Sequence, residues 1–479
     1  MSYGIYVGKN LSADGIAYLG GYGDEPSSHW LEIIPRQEHG EDATIRVGVT
    51  SEADLPGLMT EIPQAKLTAR HIRVSYSYYK GVPAPLTNGG LNEHGVAVRD
   101  IWSPSRPELI AMTSPTQTGL NYSDLARIIL ERACTAREGV KLLGDLIAKY
   151  GDTTYGGNSH IIADPDEGWV VIQFAGGQGL WVAERLGPDS IRASRPGYIE
   201  EVPVNETSQA DYLYSPNLVS FAVSQGWYDP TDSAPFNINT IYGDGKGRWA
   251  GVQWIEEELT ARSTRPEKIC IEDIMWAVRT ERLTGDTAGY GQVVPLIEPE
   301  HAELRLIWHT QIGAVAAPFV PVFMGVGEVP EEFRMHRYLT AGEASRCLDM
   351  RHANGGGNEP VFIVSQGIES TRSATQVFKR LLNLIFQHSD LYLSDVTAVW
   401  EAVEQRLLKE HESISKAAQI LLSANEQELA AHLLTYYSKS ELLNGLDIAE
   451  KLAQCLEIRT RTLFGFNNNL QPLGPKQLW

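Results

Sequence analysis

The chain has 479 residues, 43% hydrophobic and 21% charged, the composition of an ordinary globular protein long enough to bury a large core. Its 60 acidic and 40 basic side chains leave a net charge of −20, which disfavours nucleic acid and anionic membranes as partners. Cys134, Cys270, Cys347 and Cys455 lie far apart without a C-x-x-C pair, so neither a zinc site nor a disulfide framework is expected and a cytoplasmic setting is the simplest.

The first element is a short strand immediately behind Met1, in Ser2-Tyr3-Gly4-Ile5-Tyr6-Val7-Gly8-Lys9. Ser2 is small enough for methionine removal to be expected, which would put a hydroxyl and a free amine on one residue. An α-amine with a pKa of about 7.7 to 8.0 can act as a base at neutral pH, and a serine oxygen beside it is then an activated nucleophile. Further strands are expected over 16–22, 72–79 and 96–101, with a turn at Asn88-Gly89-Gly90.

A helical pair follows, with Ser123 as the N-cap of the first helix and Thr135-x-x-Glu138 as a capping box before the second, which Gly151 stops. Strand signals resume as a hairpin around Asp164-Pro165-Asp166-Glu167-Gly168, with a third strand at Trp181-Val182-Ala183. Residues 211–251 read as loop, 272–278 as helix, and 304–326 as short apolar runs broken by proline. The longest of these runs, 312–326, contains Pro318 and Pro321 and is shorter than the roughly 18 residues a spanning helix needs, so no membrane segment is expected.

From about Ala374 onward the pattern is helical, with Val396, Val399, Trp400, Val403 and Leu407 on one face after Ser394, and Ser423-x-x-Glu426 as another capping box. Domain limits of 1–345 and 346–479 follow, the second a helical extension packed on the first.

Three motifs fail on chemistry. Gly243-Asp244-Gly245-Lys246-Gly247 lacks Walker spacing, no His, Cys or carboxylate grouping has metal-ligand spacing, and Val364-Ser365-Gln366-Gly367 lacks the first glycine of a nucleophile elbow. His94 and His160 read as hydrogen-bonded sheet residues. No metal or cofactor is expected.

Several blocks taken together resemble the dipeptidase family of N-terminal nucleophile hydrolases, which includes dipeptidase A and the secernins. Ser2 to Lys9 falls in register with that family's Cys-Thr-Thr start and Val-Gly-Lys strand end, followed by Asp14-Gly15 and Asp24. Leu91-Asn92-Glu93-His94-Gly95-Val96-Ala97 is similar to its Asn-Glu-x-Gly-Val-Ala block, and 130–138 to its Leu-Glu-Arg-Ala-x-Thr-Ala-Arg-Glu stretch. Ile162 to Trp169 and Trp181 to Ala183 also match, as do 279–285 and 318–330.

The resemblance implies an α+β fold, a four-layer αββα sandwich, with Ser2 in the place of the family's nucleophilic Cys. Asp24 would orient the freed amine. Two departures stand out. Gly21 occupies the place of a family Arg, which removes a cation near the nucleophile, and Arg192-Ala193-Ser194-Arg195-Pro196 stands where the family has an Asn. Loss of one oxyanion donor is typically worth about 3 kcal/mol of transition-state stabilisation, and Ser194 and Arg195 are the candidates to replace it. Asn92 is a third candidate contact, read more simply as a loop brace.

The expected function is hydrolysis of a dipeptide or small peptide-like amide. An aminoacyl or acyl transferase and a catalytically inactive binding or scaffold homologue are the alternatives, and assembly as a homo-oligomer is left open.

Overall fold

The computed structural model of the protein describes residues 2–25, 28–77, 81–83, 85–204, 210–232, 234–335, 372–465 and 474. Two large antiparallel sheets carry it. The first has the order β14 (Ile191–Ser194), β1 (Tyr3–Val7), β2 (Ala17–Tyr22), β16 (Gly291–Leu296), β17 (Leu306–Thr310) and β18 (Val320–Phe323). The second runs β15 (Tyr212–Tyr214), β13 (Trp181–Leu186), β12 (Gly168–Gln173), β11 (Asn158–Ala163), β10 (Ala97–Ile101), β9 (Leu86–Asn92), β8 (His71–Tyr76) and β3 (His29–Ile34). Two small ribbons pair β4 (Gln37–Glu38) with β7 (Leu67–Thr68) and β5 (Thr44–Val47) with β6 (Thr60–Pro63).

α2 (Tyr122–Arg132) packs on β9 and β10, and α3 (Ala136–Tyr150) on β11 and β12. On the other sheet α6 (Ala250–Ser263) lies against β14, and α7 (Ile271–Arg279) against β2 and β16. The chain is thus an α+β protein. The strands are buried nearly throughout because one face meets a helix and the other meets the opposite sheet.

The sheets approach closely where glycine faces a large side chain. A Cβ on Gly4 would lie 2.8 Å from the Cδ1 atoms of both Ile101 and Ile161, and one on Gly168 would lie 2.7 Å from the Tyr6 ring. Asn88-Gly89-Gly90 belongs to the same pattern. It lies inside β9 and is not a turn: a Cβ on Gly89 would lie 2.5 Å from Gln292 Oε1 on β16 of the first sheet and 2.5 Å from the Tyr290 hydroxyl. The turn comes later, at Gly95 with φ of +88°.

Other expectations are also corrected. α2 is capped by Asn121 in a reciprocal box with Asp124, while Ser123 is already helical and its Oγ accepts the Thr87 N–H at 2.6 Å. The loop expected over 211–251 contains β15, α4 (Leu218–Ser224) and α5 (Ile238–Ile241). These elements are too short to show a period and are held by buried Leu218, Ala222, Ile238 and Ile241. α1 (Pro107–Met112) is equally short.

Of the C-terminal helices α8 (Ala374–Gln387), α9 (Ser389–Ser423) and α10 (Gln427–Phe464), α9 begins five residues before Ser394 and ends on Ser423. The expected Ser423 cap is therefore overruled. The chain reverses at Asn425, with φ of +62°, and Glu426 precedes α10. Ser365 and the proposed boundary at 345 and 346 lie outside the described residues.

α9 is tied to the first sheet's helix layer by a buried ion pair. Arg279 donates through Nη1 to Glu404 Oε2 at 2.8 Å and through Nη2 to Oε1, and the Phe319 N–H donates to Oε1 at 2.7 Å. Removing one partner strands the other charge away from water. Glu404→Ala is expected to lose about 3–5 kcal/mol of stability, read as a lower urea midpoint, and an unchanged midpoint would show that the pair carries no such weight.

Candidate functional site

Ser2 precedes β1 by one residue, on the strand face that carries Gly4 and looks toward the second sheet. It is 8% exposed. Its hydroxyl donates to Glu25 Oε1 at 2.8 Å, and the Asp24 backbone N–H lies 3.5 Å from Ser2 Oγ. Both acidic residues follow β2, which pairs with β1 in the register Tyr3↔Tyr22 and Gly4↔Gly21. The pairing therefore brings residues 23–25 alongside Ser2.

Glu25 is buried, and a buried carboxylate must find compensating donors or charge. Asn88 Nδ2 from β9 donates to Glu25 Oε2 at 2.8 Å, and His29 Nε2 from β3 lies 3.5 Å from that oxygen. Burial alone would raise the Glu25 pKa. The His29 hydrogen bond, the Arg99 charge and the Ser2 hydroxyl outweigh it and hold the carboxyl well down, at about 2. Burial pushes the Asp100 carboxyl up, against the opposing pull of neighbouring Arg99.

Arg99 on β10 is fully buried. Its Nη2 donates to the Tyr22 carbonyl at 2.8 Å, and its Nη1 to the Asn88 carbonyl at 2.6 Å and to Asp100 Oδ1 at 2.7 Å. It thus fastens β2, β9 and its own strand around Glu25.

The residues singled out from sequence fall in different places. The Asp24 carboxylate accepts from Thr287 Oγ1 at 2.6 Å, so the carboxylate bonded to the Ser2 hydroxyl is that of its neighbour Glu25. Arg195 comes to the site, where Nη1 donates to the Ser2 carbonyl at 2.7 Å and the guanidinium lies over the rings of Trp102 and Trp249. Ser194 pairs across β14 and β1 with Gly4 and gives its hydroxyl to the Pro196 carbonyl at 3.2 Å, fixing the chain that carries Arg195.

Asn92 is a brace. Its amide donates to Leu130 O and Ala133 O and accepts from the N–H groups of His94 and Val96, roughly 13 Å along β9 from Asn88. His160 is a satisfied sheet residue bonded to Tyr122 O and Gln173.

Glu25, His29, Asn88 and Arg99 were not singled out from sequence. Two signals pointed to them: glycines inside a strand, which mark close approach, and the charged pair Arg99-Asp100 set in the apolar run from Val96 to Ile101.

At the head of the first strand a serine is held by a buried carboxylate, and sequence comparison gives the family. Residues 4–248 match the model of peptidase family C69, and the chain belongs to that family. A probable dipeptidase of Salmonella dublin is 38% identical over 157 residues, covering 32% of this chain and 34% of that protein. A probable dipeptidase of Latilactobacillus sakei is 27% identical over 301 residues, covering 58% of this chain and 59% of that protein. The matched part is thus between about a third and three-fifths of the length of these relatives. Among solved structures, a mutant conjugated bile acid hydrolase from Clostridium perfringens aligns over 65% of this chain and 89% of its own at 11% identity and a TM-score of 0.30. That likeness is too low to bear on fold or function.

A depressed Glu25 pKa means that ionised Glu25 stabilises the fold above its ordinary value of 4.5, and that this contribution is lost as the pH falls toward about 2. Glu25→Gln is therefore expected to lower the urea midpoint at pH 7, with the difference from wild type shrinking steadily below pH 4.5. A difference that does not vary with pH would contradict this electrostatic account.

Proposed function

We propose that this protein hydrolyses the amide bond of a dipeptide or small peptide-like substrate through Ser2, exposed as the N-terminal residue by removal of Met1. The observation that carries the reading is the 2.8 Å hydrogen bond from Ser2 Oγ to Glu25 at the head of β1, in a member of a peptidase family. The matching relatives named as probable dipeptidases support the substrate class. The two sheets and their helices fit the four-layer αββα arrangement in which a first strand presents its terminal residue between the sheets.

In this mechanism Ser2 Oγ attacks the substrate carbonyl carbon while its proton passes to the Ser2 amine, which then protonates the departing amine. The ester formed on Oγ is released to water by the reverse proton path. Glu25 orients the hydroxyl, and Asp24 and Glu25 together anchor the amine. Arg195, whose guanidinium already reaches the Ser2 carbonyl, supplies positive charge for the developing oxyanion or for a substrate carboxylate. Ser194 positions it, and Asn92 acts at a distance by holding the β9–β10 turn. The reaction as proposed needs no group beyond these side chains and water, and the widely spaced cysteines are compatible with a cytoplasmic setting.

Incubation with a dipeptide panel, with intact-mass measurement of the protein, tests the reading. The expected result is a chain lacking Met1 that releases amino acids, and a loss of at least about a thousandfold in Ser2→Ala. Product trapped by added amine in preference to water would instead assign an acyl transferase. A protein that keeps Met1 and turns over nothing would be the inactive homologue.

A further inference from the structure

Gly21 leaves a space on the inner face of β2, and a side chain from the other sheet fills it. A Cβ built on Gly21 would lie 2.6 Å from Arg99 Cδ, 2.8 Å from Cγ and 2.9 Å from Nε. No residue larger than glycine fits there while Arg99 keeps its place. Two residues on, a Cβ on Gly23 would lie 2.5 Å from Glu25 Oε2, 3.1 Å from Asn88 Nδ2 and 3.3 Å from Arg99 Nη2. The Arg99 guanidinium, the Glu25 carboxylate and the Asn88 amide therefore converge on one point beside the strand that faces Ser2. Arg99 is fully buried, and its Nε has no acceptor among the described residues.

The geometry points to Arg99 as the positioning cation of the Ser2 site, delivered from β10 of the opposite sheet through the gap at Gly21, in place of a side chain on β2 itself. The inference rests on Ser2 being the nucleophile. Its chemical reason is charge balance around the freed amine. The carboxylates of Asp24 and Glu25 favour the ammonium form, which is useless as a base, and Asp100 adds to them on ionising. His29 from β3 lies 3.5 Å from Glu25 Oε2, Arg195 following β14 donates to the Ser2 carbonyl at 2.7 Å, and the ring of Tyr290, just ahead of β16, packs against the Arg99 guanidinium at 5.3 Å. Arg99 offsets the Glu25 charge and fixes, through the Tyr22 and Asn88 carbonyls, the two segments that hold that carboxylate. Arg99 touches no reacting atom and acts through Glu25.

The reaction of Ser2 with p-nitrophenyl acetate tests this. Ser2 Oγ forms the ester bond, the p-nitrophenolate bond breaks, and both the released phenolate and the acetyl mass on the N-terminal peptide are read. In wild type the acetyl group is expected on Ser2. Arg99→Met is expected to slow acylation about a hundredfold and move the acid limb of its pH profile to higher pH, because an unopposed Glu25 charge raises the pKa of the amine. Arg99→Lys is expected to retain part of the rate. Gly21→Arg alone is expected to slow the reaction by displacing Arg99, and Gly21→Arg/Arg99→Ala to recover rate relative to either single variant and return the limb toward the wild-type position. If Arg99→Met does not fold, Gly21→Ala, which crowds Arg99 away from its place without removing its charge, is expected to show slowing and a limb shift in the same direction, each smaller. A folded Arg99→Met or Gly21→Ala with wild-type rate or an unmoved acid limb, or a double variant no faster than the singles, overturns the inference alone. A wild-type protein that takes no acetyl on Ser2 overturns the functional reading, and this inference with it.

Discussion

The structure depends most on one buried negative charge. A carboxylate taken out of water costs several kcal/mol unless its lone pairs and its charge are met, and Glu25 is met from four directions: Ser2 ahead of β1, His29 on β3, Asn88 on β9 and Arg99 on β10. Those partners lie on two different sheets. The chain satisfies Glu25 only when the sheets are close and correctly registered, so the group that orients the Ser2 hydroxyl also reports that the two sheets are properly assembled.

The glycines follow from this constraint. Gly4, Gly21, Gly23 and Gly89 all stand where a side chain would strike a group from across the interface: Ile101 and Ile161 at Gly4, Arg99 at Gly21, Asn88 and Arg99 at Gly23, and Tyr290 and Gln292 at Gly89. Glycine weakens a strand locally, and here the loss is offset by admitting large polar side chains into the space between the sheets. The outer faces add apolar contacts to those made between the sheets by Tyr6, Ile101 and Ile161. Tyr3 and Tyr22 stack on one another against α7, while the C-terminal helices add a further apolar layer, pinned by Arg279 and Glu404, far from Ser2 in sequence.

The legible part of the chain was local. The hairpin of β11 and β12, the α2–α3 pair and α7 all carry periods and breakers long enough to read, and the position of Ser2 at the start of the first strand follows from the sequence beside Met1. The elements between 211 and 251 were not legible because each is shorter than the period that would reveal it. The site was legible in one half only. Arg195 was found through the segment that carries it, whereas Asn88 was placed in a turn and neither Glu25 nor Arg99 was set apart. Their roles arise from contacts between residues 11 to 77 positions apart, which no local pattern encodes. The loss of a cation expected from Gly21 shows the same limit, since sequence displays the missing side chain and only the fold displays the guanidinium that enters its place.

The central claim is that the hydroxyl held by Glu25 becomes covalently acylated during turnover. Rapid quenching of the protein with a slowly hydrolysed dipeptide ester, followed by mass spectrometry of the N-terminal peptide, tests it most directly. The account predicts an N-terminus beginning at Ser2 and carrying the substrate's acyl group on that residue, formed and lost at rates compatible with turnover. Turnover accompanied by an unmodified Ser2, or by an acyl group on any other residue, would contradict it.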